Sequence, residues 1–204
     1  MDAYSIPTSI VLGNNEYKIR NNGDYRTILD CFEALNDTEL TQQERIYSCL
    51  IIFYEDFNSL EDVLACTDDL STLVAEMYNF FNCGKHENSS VHQNRKLIDW
   101  DVDSQLICSA INKIAGKEIR FEPYIHWWTF LGYYMSIGDS VLATVVNIRD
   151  KILTGKKLEK HERQFRAENP QYFIWNHKTV EQQEAEQWVH EIWNSGKEVD
   201  DATS

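Results

Sequence analysis

The sequence predicts a mainly α protein, a multi-helix bundle with a small N-terminal β-hairpin and a C-terminal helical appendage. Three observations carry that expectation. Apolar residues recur at helical spacing through most of the 204 residues, with Ser, Thr or Asp ahead of many runs and glycine after several. Only 9–12 and 16–19 read as short β-prone runs. One stretch, 123–135 (PYIHWWTFLGYYM), holds more aromatic surface than any other and reads as the central core helix, starting at Pro123.

In chain order, Gly13-Asn14-Asn15 joins the two β runs, and a lone hairpin needs the helical body beneath it to persist in water. After the turn Asn21-Asn22-Gly23, Asp24 is placed to cap a helix carrying Tyr25, Ile28, Leu29, Phe32 and Leu35. Thr41 with Glu44 forms a capping box for a second helix bearing Ile46, Leu50, Ile51 and Tyr54. Ser59 can cap a short helix over 60–65. Thr67 or Asp68 starts the next, with Leu73, Val74, Met77, Phe80 and Phe81 inward and Gly84 as its C′ stop.

The polar stretch 85–93 reads as an exposed loop. Beyond it a helix runs to Ala115 with Leu106, Ile107, Ala110, Ile111 and Ile114 inward. In the aromatic helix, Trp127, Phe130, Leu131 and Tyr134 share one face and Trp128 widens it. Asp139 or Ser140 then caps a helix of Val141, Leu142, Val145, Val146, Ile148 and Ile152, dense enough for burial on more than one face. After Gly155 the composition changes. Residues 156–168 read as a solvated, charged helix, and Thr179 with Gln182 can open a last one bearing Trp188, Ile192 and Trp193. The expected division is therefore a core of 1–155 and an appendage of 156–204.

Nineteen Lys and Arg against 33 Asp and Glu give a formal net charge of −14, which argues against broad binding to nucleic acid or anionic lipid. The five cysteines are odd in number and scattered, as reduced thiols are. The first residues lack the pattern of a secretory leader, and no run approaches the ~18 apolar residues of a membrane span. The expected location is cytoplasmic.

Asp99, Asp101 and Asp103 alternate like the start of a calcium loop, but Ser104 stands where glycine is needed and Ala110 where a bidentate glutamate is needed. They read as helix-start carboxylates. Cys83, His86 and His92 lack partners at zinc-ligand spacing. His126 reads as a hydrogen-bonded packing residue, and no nucleophile elbow, phosphate loop or metalloprotease motif occurs. No enzyme activity, metal or cofactor is expected. Trp188, Ile192 and Trp193 sit on an otherwise acidic helix, and two readings stand: docking onto the chain's own body, or anchoring a partner protein.

Three stretches together resemble the bacteriophage gene-product-fifteen family, over about 4–172. They are Tyr17-Lys18-Ile19-Arg20 with Asp24-Tyr25-Arg26; Asp99 and Asp103 before Ile107 and Ala110; and His126-Trp127-Trp128-Thr129-Phe130 with Ile148-Arg149 further on. The resemblance implies a tail morphogenesis protein of a phage or prophage, acting in the cytoplasm of the bacterial host. It marks His126, Trp127, Trp128, Phe130 and Arg149 as a structural signature. The expected function is a tail assembly chaperone that binds the tape measure protein, with self-association left open. The alternatives are a structural tail component of the virion and an acidic, nucleic-acid-mimicking inhibitor of a host protein.

Overall fold

The computed structural model describes residues 5–84 and 97–174. The fold is mainly helical, with one two-stranded antiparallel hairpin at the N-terminal end. Contacts divide the described residues into two compact units, 5–84 with 126–128, and 97–125 with 129–174. Residues 156–174, the start of the expected appendage, group with the second unit; the remainder of that appendage lies outside the described residues.

In the first unit β1 (Ser9–Leu12) pairs with β2 (Asn15–Lys18) through a two-residue turn at Gly13-Asn14, one residue tighter than expected. The hairpin has the support a lone ribbon needs. Ile19 bridges to Tyr54, the amide of Glu55 donates to the Lys18 carbonyl, and the Tyr17 ring lies against Tyr54 and Phe57. The Tyr17 hydroxyl donates to Asp68 at 2.6 Å and Asn15 donates to the same oxygen at 2.7 Å, holding that carboxylate below its ordinary range.

Four helices follow: α1 (Tyr25–Asn36), α2 (Gln42–Phe53), α3 (Leu60–Ala65) and α4 (Leu70–Phe81). Asp24 caps α1 through the Arg26 amide, Thr41 and Glu44 form the capping box of α2, and Ser59 caps α3. Asp69 caps α4, one position beyond the expected residues, because its carboxylate reaches the Ser71 amide. Ile28, Leu50, Phe53, Tyr54, Leu73 and Met77 are fully buried among these helices.

The second unit contains α5 (Ser104–Ala115), α6 (Trp127–Met135) from its third residue on, α7 (Val141–Leu153) and α8 (Lys160–Glu168). α5 packs on α7 around Ile107, Ile111, Leu142, Val145 and Ile148, and the Phe130 ring lies against Trp100. Ile114 is exposed although expected inward, because it is the last residue but one of α5. Val141 and Ile152 are also exposed; the buried residues of α7 are Leu142, Val145, Ile148 and Arg149, at the spacing of one helix face, so the helix is buried on one face and not on more. α8 is not solvated all round: Glu162 is buried, accepting from Lys151 Nζ at 2.5 Å, from Asn147 at 3.0 Å and from the Glu159 amide.

The largest departure concerns α6. It starts at Trp127, four residues after the expected Pro123, because Asp24 and His126 form an antiparallel bridge that keeps the backbone extended up to His126. No described helix is long and apolar enough to cross a membrane.

Candidate functional site

The three stretches that stand out in the sequence come together as two polar knots, one within each unit. The first is built around His126. Its ring Nδ1 accepts from the Trp128 amide at 3.1 Å, taking the place of an N-cap acceptor for α6, so the proton sits on Nε2, which donates to the Pro7 carbonyl at 3.0 Å. Both ring nitrogens are engaged. Burial pushes the imidazole below its ordinary pKa, against the pull of the Pro7 bond and the nearby Asp24 charge.

The next two side chains close the other end of α4. Trp127 Nε1 donates to the Phe81 carbonyl at 2.9 Å and Trp128 Nε1 to the Phe80 carbonyl at 2.8 Å. The amides of Asn82 and Gly84 take the Tyr78 and Asn79 carbonyls, so all four terminal acceptors of α4 are satisfied. The turn needs Cys83 and Gly84 at positive φ, so Gly84 follows the helix one position later than expected. Trp127 is buried and meets the edge of Phe32 at 5.5 Å. Gly23 leaves room for this packing: a Cβ there would lie 2.7 Å from Phe80 and 3.1 Å from His126, and its φ is +75°.

Arg20, from the same N-terminal stretch, acts alike at α2. Its Nη2 donates to the carbonyls of Ile51, Tyr54 and Phe57 at 2.8–3.1 Å, placing a cation at the negative end of that helix.

The second knot centres on Arg149. Its guanidinium forms a two-pronged pair with Asp103, at 2.5 Å and 2.9 Å, and both side chains are almost wholly buried. The remaining N–H groups donate to the Leu97 carbonyl at 3.0 Å and, from Nε and Nη2, to the Tyr172 carbonyl at 3.0 Å and 2.7 Å. That uses all five donors of the fork. Asp103 also accepts from the Asp99 amide, while Asp99 accepts from the amides of Asp101 and Val102. Asp103 does begin α5, but its carboxylate makes no cap bond there and is turned to Arg149.

Of the residues expected as a signature, His126, Trp127 and Trp128 thus meet in one knot, Arg149 anchors the other, and Phe130 is buried in the second unit. The partner-binding candidates Trp188, Ile192 and Trp193, and the loop residues His86 and His92, lie outside the described residues. Among the described residues no group of three or more His, Cys, Asp or Glu side chains is placed to hold a metal ion. The pairing of Asp103 with Arg149 escapes sequence reading because 46 residues separate them. One signal was available: an arginine between Ile148 and Ile152 on an apolar helix needs a buried carboxylate.

Fold and knots together define a mainly helical protein whose most distinctive polar residues are turned inward onto backbone. Residues 4–172 match the family model described as Bacteriophage Gp15 protein, and the chain belongs to that family. It is a phage-related protein. No curated protein and no solved structure matches the chain.

Proposed function

We propose that the chain is a tail assembly chaperone that binds the tape measure protein of its phage or prophage while the tail is built. Membership of the phage family over 4–172 carries this reading. The geometry supports it in a second way. The imidazole, the indoles and the guanidinium of the signature are committed to backbone or to a buried partner, which leaves recognition to surfaces. Reversible apolar and charged surfaces are what a holding chaperone needs.

Coexpression with the tape measure protein tests it. A chaperone keeps the tape measure soluble, co-purifies with it and is missing from finished virions by mass spectrometry. Its presence in virions at a fixed copy number favours the structural tail component instead. Failure both to keep the tape measure soluble and to co-purify with it overturns the proposal.

A further inference from the structure

Charge is divided unevenly along this chain. Residues 5–84 carry fourteen Asp and Glu against four Lys and Arg, while 97–174 carry ten of each. Five of those latter ten cations fall in 156–166. Three of them, Lys157, Arg163 and Arg166, line an open groove of about 440 Å³ with Leu158 and Ala167. No carboxylate lines it, and among the described residues none of the three cations is paired with one. Arg163 donates to the Leu158 carbonyl, which fixes its stem along the rim. The groove thus asks for carboxylates flanking a small apolar surface.

The chain itself presents such a surface in 55–69, which holds six acidic residues and no basic one. Within it, α3 exposes Leu60 and Leu64, 45% and 60% accessible, one helical turn apart on one face. Exposed Glu61 stands beside that stripe, with exposed Glu55 and Asp56 just before the helix. The carboxylates of Asp62 and Asp69 are held below their ordinary range by hydrogen bonds, so they stay ionised at neutral pH.

We propose that the Lys157–Arg163–Arg166 groove is the docking site for α3 of a second copy of this chain, with Leu60 and Leu64 against Leu158 and Ala167 and the flanking carboxylates on the cations. The contact joins two different patches, so it either closes as a ring or pair, or propagates. It is small and therefore of the weak, exchanging kind. Two copies of net charge −14 repel at long range, but at about 0.15 M salt that repulsion is screened beyond roughly 8 Å, and the local match decides.

Sedimentation velocity of the full chain tests this at about 0.15 M and about 1 M NaCl. The expected result is concentration-dependent association at the lower salt that weakens at least ~10-fold at the higher. Two variants then isolate the surfaces: Lys157→Glu with Arg163→Glu and Arg166→Glu reverses the groove, and Glu61→Lys with Leu64→Asp alters α3. Each alone should be monomeric with an unchanged melting temperature. Their mixture should form a heterodimer, because one keeps the groove and the other keeps α3. If the groove reversal lowers the melting temperature, the three Gln substitutions replace it. The proposal fails if the wild type stays monomeric at both salts, if the mixture does not associate, or if association survives both variants. It fails equally if a monomeric chain binds a short single-stranded DNA probe through the same three cations.

Discussion

The two knots solve one problem with different chemistry. Around His126 the groups are neutral, an imidazole and two indoles, and they hold backbone at the start of α6 and the end of α4. Around Arg149 the groups are charged, and a buried ion pair is joined to two main-chain carbonyls from distant parts of its unit. Neutral donors exchange a bond to water for one to backbone and return a modest net gain per bond, about 1 kcal/mol. A buried ion pair gains little net stability, yet removing one partner costs about 3–5 kcal/mol. The loss in the first knot should therefore vary with how much ring volume is removed along with the donor, whereas in the second either single deletion should carry the full cost.

Four expectations can break or sharpen that comparison. Trp127→Ala should cost about 3–5 kcal/mol in urea denaturation, since it deletes a fully buried ring that packs on Phe32. Trp127→Phe keeps much of that volume but leaves the Phe81 carbonyl without its donor, and should cost about 1–3 kcal/mol. An equal loss in the two variants would mean that packing contributes nothing beyond the hydrogen bond.

His126 gives a pH test. Its folded pKa is depressed, so the unfolded chain binds the proton more readily. Its contribution is complete above the unfolded value of about 6.5 and is lost as pH falls through that value toward the folded one. Urea midpoints measured across this window should decline toward acid in the wild type and flatten in His126→Gln. A wild-type midpoint that rises toward acid would reverse the assignment of the proton to Nε2 alone. The smallest effect belongs to Ser140→Ala, which removes an ordinary N-cap from α7 and should cost about 1 kcal/mol by thermal melting. A loss as large as that of Trp127→Ala would erase the distinction between a cap and a knot.

Local chemistry was the legible part of the fold. Thr41 with Glu44, Ser59, Asp24 and Ser140 act within three residues of themselves, so their caps can be read from spacing alone. The start of α6 could not be read this way. Pro123 is a good local signal, but the bridge between Asp24 and His126 comes from a hundred residues away and keeps the chain extended. The same limit hid the partners of His126 and Arg149: the Pro7, Leu97 and Tyr172 carbonyls carry no side-chain signal at all. The resemblance had marked both residues as a signature without saying what either one touches. For 156–168 the charge pattern pointed to solvent, and the buried Glu162 escaped because its partners Lys151 and Asn147 lie on another helix.

A double-mutant cycle on Arg149 and Asp103, read by equilibrium urea denaturation, tests most directly the claim that the signature residues hold the fold together. Arg149→Met and Asp103→Leu should each cost about 3–5 kcal/mol, because each leaves a buried charge alone. The double variant should recover much of that loss, since the apolar pair removes both charges and leaves the Leu97 and Tyr172 carbonyls without their donors and the Asp99 amide without its acceptor. Single variants with wild-type stability that no longer capture the tape measure protein would contradict the account and make Arg149 a recognition residue.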